Sequence, residues 1–250
     1  MIDRASDIRG LIDAQPTPRD GLSGLLEQVC LAVLPVLSAS GAGISMMTAD
    51  GVRGVCVASD PVSQHVDDLQ FVLGEGPCID AFDDRRPVLV TDVADEGIRW
   101  PLYAPAVEQA GVGAVFAFPL QVGGARLGVF EVFRRYAGSL SADELTDALL
   151  FTDVTVSAVL DRQEHVGDHP LDDVAEAVQH RAELFQAQGM VMVQLGVSLA
   201  EAMARLRAHA YAQDRSLDEV ARDVIARRLR FTPEGPPTMN STADDAGRPE

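Results

Sequence analysis

The stretch VGAVFAFPLQV at residues 112–122, followed by RLGVFEVFRR at residues 126–135, decides the fold of the first part of this chain. Both runs are rich in β-branched and aromatic residues, and Gly123-Gly124 joins them, which is typical of a β-hairpin. In the second run both sets of alternating positions are partly apolar, and Glu131 interrupts one of them. We therefore predict a pair of antiparallel strands within a larger sheet.

The residues before this hairpin predict further elements of an α+β domain. Apolar residues at three- and four-residue spacings predict a helix over residues 20–37. Residues 41–59, GAGISMMTADGVRGVCVAS, are two β-rich runs split by Asp50-Gly51, which is a second hairpin signal. Residues 60–84 are irregular or short-helical, and residues 87–93 predict another strand.

The residues after the second strand run predict the end of this domain. Ser141 and Glu144 form a capping box that opens a helix reaching about Gln163, and a shorter helix is predicted earlier, around residues 102–110. The order of the elements is helix, two strands, loop and strand, two strands, helix. This order indicates one antiparallel sheet with helices packed on it.

The chain after residue 170 is predicted to be helical. Apolar residues near heptad spacing predict a helix over residues 171–195. Ser198 with Glu201 and Ser216 with Glu219 are capping boxes that open two more helices, so the prediction is an all-α three-helix module. The whole chain is then divided into a flexible leader at 1–19, the α+β domain at 20–163, a linker at 164–170, the helical module at 171–231 and a disordered tail at 232–250.

Charge is distributed unevenly along the chain. The formal net charge is −18, yet residues 1–175 carry 11 Arg against 27 acidic residues, whereas residues 176–231 carry 8 Arg against 7. The acidic first part disfavours nonspecific binding of nucleic acid by the chain as a whole. No apolar run approaches the ~20 residues that span a bilayer, and the N-terminus lacks a secretory signal. We therefore expect a cytoplasmic protein with no membrane contact.

The residues that usually carry enzyme chemistry are not arranged for it in this sequence. The three cysteines, Cys30, Cys56 and Cys78, form no CxxC and no Cys/His cluster, which predicts neither a disulfide framework nor a zinc site. We find no nucleophile motif, Walker-type loop or paired-carboxylate arrangement, and Gly74-Glu75-Gly76 lacks the third glycine of a dinucleotide fingerprint. We therefore expect no enzyme activity, no catalytic residue and no metal site, and the sequence identifies no cofactor.

Residues 22–162 resemble a GAF domain, the small-molecule and redox sensor fold related to PAS. The resemblance rests on the order of the elements, the loop GEGPC at residues 74–78, the pair Asp92-Val93 and the strand LGVFEVF. It implies a sensor for a small-molecule or redox signal. Cys78 is a candidate redox residue, because a helix N-terminus favours the reactive thiolate. Trp100 is a candidate pocket residue, and for both side chains a structural role is the alternative.

Residues 176–230 resemble an ANTAR module, a three-helix RNA-binding unit of bacterial transcription antiterminators. The residues that carry the resemblance are Ala187, Gly189 and Met192 in the first helix, Ala202, Leu206 and Ala210 in the second, and Val220 and Ala221 in the third. The small residues among them indicate either close helix packing or close approach of the backbone to RNA. Together the two resemblances are to GAF–ANTAR regulators of the actinobacterial type.

Five residues are candidates for RNA contact. Arg207 matches the family's arginine and can bind phosphate or stack on unpaired bases, and Arg205 and Arg215 are near it in sequence. Tyr211, one helical turn beyond Arg207, can stack on a base. Gln188 replaces a lysine found in many family members, so it would bind a base edge and not a phosphate. The alternatives are a solvated helix face for the arginines and a half-buried structural role for the tyrosine.

The two resemblances imply a signal-responsive regulator, namely a transcription antiterminator that binds hairpin loops in nascent mRNA and affects RNA polymerase indirectly. The apolar seams of the helices at 141–163 and 171–195 predict a homodimer that transmits the signal. Two other classes stay open. Three short helices also form the helix-turn-helix of DNA-binding transcription factors, and some GAF-fold proteins reduce methionine sulfoxide with cysteines.

Overall fold

The computed structural model describes residues 2–16, 19–47, 53–165, 172–213, 215, 217–232 and 235–239. The chain divides into two compact units, an N-terminal unit (Met1–Ala177) and a C-terminal unit (Val178–Glu250). The predicted turn at Asp50-Gly51, most of the predicted linker and Ser216 of the third capping box lie outside the described residues.

A five-stranded antiparallel sheet forms the centre of the N-terminal unit. Its strands are β1 (Gly41–Met47), β2 (Arg53–Ala58), β3 (Val88–Val90), β4 (Ala114–Val122) and β5 (Ala125–Arg134). Their order across the sheet is β2-β1-β5-β4-β3. The β4–β5 hairpin sets Phe116 opposite Val132 and Phe118 opposite Phe130. The predicted antiparallel sheet and its central hairpin are therefore confirmed.

Helices cover both faces of this sheet. Those described in the unit are α1 (Ile2–Asp13), α2 (Gly21–Val36), α3 (Pro61–Leu73), α4 (Pro77–Asp84), α5 (Tyr103–Gln109) and α6 (Ala142–His165), with a 3-10 turn at Val93–Glu96. Phe116 and Phe130 are buried in the core under α1, α2 and α6. Val129 and Phe133 are buried in the opposite core, to which α3, α4 and α5 contribute. This division follows from the two-residue alternation of side chains along a strand.

The N-terminal segment differs from its prediction as a flexible leader, because residues 2–13 form α1. Ile8 and Ile12 lie one helical turn apart and are fully buried in the core beside α2 and α6. Arg4 donates to the Asp147 carboxylate of α6 from Nε at 2.9 Å and from a terminal nitrogen at 2.6 Å. The sequence signal was weak because the helix buries only this narrow apolar stripe.

Residues 60–84, predicted as irregular or short-helical, form the two helices α3 and α4. The Asp60 carboxylate caps α3 by accepting two backbone N–H groups of its first turn at 2.9 and 3.0 Å. The helical pattern is hard to read from the sequence because three of the residues that α3 buries are polar, namely Ser63, Asp67 and Gln70.

The predicted start of α6 is confirmed in detail. The Ser141 N–H donates to Glu144 Oε2 at 2.8 Å, and the Glu144 N–H donates to Ser141 Oγ at 3.2 Å. This reciprocal pair is the capping box expected from the sequence. None of the described helices is both long and apolar enough to cross a lipid bilayer.

The C-terminal unit contains three described helices and a hairpin. Its elements are α7 (Asp172–Leu195), which begins before the unit boundary, α8 (Leu199–Ala212), α9 (Leu217–Ile225), β6 (Leu229–Thr232) and β7 (Gly235–Met239). The second capping box is present, because the Glu201 N–H donates to Ser198 Oγ at 3.2 Å. The predicted helical character of this region is confirmed for α7, α8 and α9.

The end of this unit differs from the prediction. The helical module was predicted to extend to residue 231, but α9 ends at Ile225 and Arg227 adopts a left-handed conformation with φ 57°. Leu229 and Phe231 are then buried at the two-residue spacing of a strand. Residues 235–239 were predicted to belong to a disordered tail, but they form a strand that pairs with β6. Backbone hydrogen bonds make this pairing, so the pattern of side chains does not predict it. Residues 240–250 lie outside the described residues.

Candidate functional site

A buried polar cluster lies between the sheet and α3, α4 and α5. It consists of Ser45, Cys56, Asp67, Gln70, Cys78, Tyr103 and Glu131. The Asp67 carboxylate on α3 accepts from the Ser45 hydroxyl at 2.9 Å and from the Cys56 thiol at 2.7 Å. A buried carboxylate is costly unless it is hydrogen-bonded, so these donors on β1 and β2 hold Asp67 in place.

Gln70 on α3 connects Glu131 on β5 with Cys78 on α4. Its Nε2 donates to both carboxylate oxygens of Glu131 on β5, at 2.9 and 3.1 Å. Its Oε1 accepts the backbone N–H of Cys78 at 2.7 Å. Both Gln70 and Glu131 are fully buried. One amide therefore orients the carboxylate and anchors the first turn of α4, which carries the thiol.

The glycines of the GEGPC loop allow this arrangement. Gly74 ends α3 with φ 75°, and Gly76 has φ 141°, a conformation that residues with a Cβ rarely adopt. A Cβ at Gly76 would lie 2.5 Å from Oε1 of Gln70. The absence of a side chain at Gly76 is therefore needed for Gln70 to reach Glu131.

The other residues of the loop position the neighbouring helices. Glu75 Oε1 accepts the backbone N–H groups of Leu102 and Tyr103, at 2.7 and 2.9 Å, at the start of α5. Pro77 begins α4, so Cys78 lies in its first turn as predicted, and its side chain is buried. The sequence motif that marked the domain is thus the segment that assembles its buried polar cluster.

Tyr103 completes the cluster from the side of α5. Its hydroxyl is buried and has no hydrogen-bond partner among the described residues. Burial raises the pKa of Tyr103 well above its usual value, and the nearby Glu131 and Cys78 raise it further. Trp100, predicted as a pocket residue or a packing residue, is buried against Tyr103 in an edge-to-face contact with ring centroids 6.2 Å apart.

The sequence predicts no metal site, yet the fold brings three ligand-type side chains together. Asp67, Cys78 and Glu131 each offer a ligand atom, and these atoms all lie within 4.8 Å of one another. Spacing along the chain does not reveal this group, because its members are far apart in sequence. The available signal was Glu131, a lone carboxylate in the otherwise apolar run LGVFEVF.

The remaining thiol lies in the other core of the unit. Cys30 is fully buried among the residues under α1, α2 and α6, and burial raises the pKa of its thiol. Cys30, Cys56 and Cys78 form no disulfide with one another. The redox role expected for Cys78 therefore stays a prediction, and no disulfide joins it to a second cysteine in this structure.

In the C-terminal unit most residues that carry the family pattern are core residues. Those that are fully buried are Ala187, Ala202, Leu206, Ala210, Val220 and Ala221. Met192 and Gly189 are half-buried. No described heavy atom outside the helix's own nearby backbone lies within 4 Å of a Cβ built on Gly189. Close packing thus accounts for the buried members of the pattern, but not for the glycine.

Three of the predicted RNA-contact residues lie on α8. Tyr211 is 64% exposed, and Arg207, four residues earlier on the same helix face, is half-buried. Burial lowers the pKa of Arg207, although an arginine remains charged at neutral pH. Arg205 is exposed and pairs with Glu201 at 3.4 Å, a surface contact of small energetic value.

The other two predicted contact residues are placed differently. Gln188 is only 6% exposed, so its amide belongs to the interior of the unit and not to its surface. Arg215 is held by Asp223 on α9, with Nη2 and Oδ2 2.6 Å apart. The same carboxylate accepts from Arg228 Nε at 2.7 Å. These contacts give Arg215 a structural role in joining the end of α8 to α9.

The Asp223 contacts make the stability of the C-terminal unit depend on pH. Hydrogen bonds from Arg215 and Arg228 lower the pKa of Asp223 below its usual value. A lowered pKa in the folded state contributes stability above the unfolded-state value of about 3.9, and this contribution disappears as the pH falls through the folded-state pKa. We expect Asp223→Asn to lower the free energy of unfolding at pH 7 by about 1–2 kcal/mol, with a difference from wild type that shrinks below pH ~4.

Thermal unfolding of both proteins between neutral and acidic pH measures this difference. Glu219→Gln is the control, because its carboxylate lies on the same helix but only approaches Arg215 to 4.0 Å. If Asp223→Asn were less stable than wild type by the same amount at neutral and acidic pH, the charge of Asp223 would not be what stabilises the unit.

The N-terminal α+β unit and the C-terminal helical unit each match a known family of domains. A family model for the GAF domain matches residues 20–154, and one for the ANTAR domain matches residues 172–225. The chain belongs to the GAF domain family and carries an ANTAR domain after it. These are regulatory domains.

Several solved structures are similar to the N-terminal unit. The GAF domain of an Acinetobacter phosphoenolpyruvate-protein phosphotransferase is 14% identical with a TM-score of 0.47, over 67% of this chain and 96% of that one. The corresponding domain from Coxiella burnetii is 12% identical with a TM-score of 0.45, over 66% and 95%. Free methionine-R-sulfoxide reductase from Neisseria meningitidis is 10% identical with a TM-score of 0.46, over 66% and 91%. No curated protein matches this chain.

Proposed function

We propose that this chain is a signal-responsive transcription antiterminator whose C-terminal unit binds hairpin loops in nascent mRNA. The single observation that carries the proposal is the ANTAR domain at residues 172–225, since that family resemblance implies RNA binding. The proposed contact surface is formed by Arg205, Arg207 and Tyr211 on α8. It combines cationic groups for phosphate with an exposed ring for a base, the pair of features that single-stranded RNA recognition uses.

Charge and helix composition support this assignment. Residues 176–231 hold 8 Arg against 7 acidic residues, whereas residues 1–175 hold 11 Arg against 27, so RNA would be repelled by the first part of the chain and not by residues 176–231. Gly189 within α7 costs about 0.5–1 kcal/mol relative to alanine, and no described neighbour requires its small size. A glycine at such a position fits close approach by an RNA backbone.

Antitermination is tested by transcription across a template in which a tandem-hairpin RNA competes with a terminator. The proposal expects the full-length protein to raise the fraction of readthrough transcripts in proportion to its concentration. A template whose hairpin loops are replaced by unrelated sequence is the control. Unchanged readthrough on the hairpin template, with RNA binding intact, would separate RNA binding from antitermination and refute the latter.

We also propose a homodimer that forms through α6. Leu149 is 43% exposed, and Val156 and Leu160, seven and eleven residues later, lie on the same helix face and are half-buried. Phe151 and Val159 of α6 are buried in the core that α6 shares with α1, α2 and the sheet, and Val156 packs against the edge of that core. A second copy of this helix would cover the exposed apolar seam by coiled-coil packing.

Leu149→Glu is expected to convert the dimer into a monomer. A two-fold dimer would place one new carboxylate from each chain in the apolar seam, where the two negative charges would repel each other and lose their hydration. Sedimentation velocity at micromolar concentration measures the change. Leu89→Glu is the matched control, since Leu89 on β3 is also 43% exposed but lies outside the seam. A wild-type protein that sediments as a monomer would contradict the proposal, as would a variant that remains dimeric.

A further inference from the structure

The sensor domain buries two carboxylates and a thiol side by side. Asp67, Cys78 and Glu131 are all buried, and their ligand atoms lie within 4.8 Å of one another. In a tetrahedral zinc site with ordinary bond lengths, neighbouring oxygen and sulfur ligands lie about 3.6 Å apart, so small side-chain movements suffice to surround a cation. Ser45 and Cys56 donate hydrogen bonds to the Asp67 carboxylate, and Gln70 donates to the carboxylate of Glu131.

Tyr103 is an independent observation that points to a ligand at the same place. Its hydroxyl is buried without a hydrogen-bond partner among the described residues, although a buried hydroxyl usually has one. Tyr103 is buried in the same core as Cys78, and its hydroxyl adds a fourth polar group there.

We infer that Asp67, Cys78 and Glu131 bind a divalent transition-metal cation of the Zn²⁺ type. A thiolate in the set favours a cation of intermediate softness over Mg²⁺ or Ca²⁺, which prefer all-oxygen sites. Binding replaces the proton of the Cys78 thiol with the metal and releases that proton. Three protein ligands leave a fourth position beside Tyr103, as in zinc sites that admit water or a small molecule.

The hydrogen bonds around the ligands are those that a metal site requires. Gln70 fixes the Glu131 carboxylate and the backbone of Cys78, while Ser45 and Cys56 fix Asp67. Such partners orient the ligands and hold them together before the metal binds. The metal would be the ligand of the sensor domain in the proposed regulator. The test below measures metal binding and not RNA binding, so it can fail independently of the proposed function.

The test uses the full-length protein, stripped with a chelator and then titrated with Co²⁺ as the spectroscopic probe for Zn²⁺. We expect about one cation per chain and a thiolate-to-cobalt charge-transfer band in the near ultraviolet. Cys78→Ser should abolish the band, and Glu131→Gln, which is nearly the same shape, should weaken metal binding tenfold or more. Cys30→Ser is the matched control, because it removes a buried thiol outside the cluster and should leave the band unchanged.

Two results would overturn the inference. One is a wild-type protein that retains no Co²⁺ or Zn²⁺ after dialysis, which would mean that the cluster is held together by shared protons. The other is a charge-transfer band that persists in Cys78→Ser. Circular dichroism verifies that each variant is folded, and if Cys78→Ser is not, unchanged affinity in Glu131→Gln contradicts the assignment by itself.

Discussion

Gly76→Ala is expected to lower the free energy of unfolding of the N-terminal unit by about 3 kcal/mol. Part of this loss is backbone strain, since φ at Gly76 is 141°, and such a conformation costs a residue with a Cβ about 1–3 kcal/mol. The rest comes from Gln70, because the new Cβ would lie 2.5 Å from its Oε1. Displacing that amide would break its bonds to Glu131 and Cys78 and leave buried polar groups unsatisfied, at about 1–3 kcal/mol.

Chemical denaturation followed by tryptophan fluorescence measures this loss, because the one tryptophan, Trp100, is buried in the same core. Gly97→Ala is the control. Its φ is −61° and a Cβ there would meet no heavy atom within 4 Å, so the same substitution should change stability by less than ~1 kcal/mol. Equal effects of the two substitutions would show that the GEGPC loop does not constrain the cluster.

Arg207→Ala is expected to weaken binding of hairpin RNA by roughly ten- to a hundredfold, equivalent to about 1–3 kcal/mol. The half-buried side chain of Arg207 is already restricted and partly desolvated. RNA binding would therefore cost less side-chain entropy and less desolvation energy at Arg207 than at an exposed arginine. Loss of a phosphate contact should also reduce the slope of log affinity against log salt concentration by about one, because about one ion fewer is released on binding. A loss of affinity without this change in slope would indicate a contact to a base.

Two comparisons separate a lost contact from a damaged fold. Tyr211→Ala removes a side chain that is 64% exposed, so it should leave the fold intact while it removes stacking energy of about 1–3 kcal/mol. Arg86→Ala removes the same charge as Arg207→Ala from an exposed position of the N-terminal unit and should change affinity by less than about twofold. If Arg86→Ala weakened binding as much as Arg207→Ala, net charge and not the α8 surface would explain the affinity.

The parts of the fold that could be predicted from sequence are those with periodic apolar patterns. The β4–β5 hairpin and the start of α6 have local signals, namely alternation, a glycine pair and a capping box, and the structure contains them. Helix α1 has only Ile8 and Ile12 to indicate its buried face, and α3 buries Asp67 and Gln70 where a helix pattern would have apolar residues. Strand β7 depends on backbone pairing with β6, so its side chains gave no signal.

The candidate sites, like the fold, could be predicted from the sequence only where a local motif indicates them. The motif GEGPC marked the right loop, but Asp67 and Glu131 reach Cys78 only through tertiary contacts between α3, α4 and β5. In the C-terminal unit the family pattern indicated Arg207 and the position of Gln188, and nearness in sequence added Arg215, but only packing distinguishes the three. Gln188 is buried and Arg215 is held by Asp223, facts that no local sequence pattern contains.

RNA binding is tested most directly by the affinity of the full-length protein for a tandem-hairpin RNA and for duplex DNA of the same length, measured by fluorescence anisotropy over a series of salt concentrations. We predict salt-sensitive binding of the hairpin RNA that is tighter than binding of the duplex and that depends on the hairpin loops. Binding of the duplex DNA in preference to the RNA, or no binding of the RNA at low salt, would contradict the proposed function.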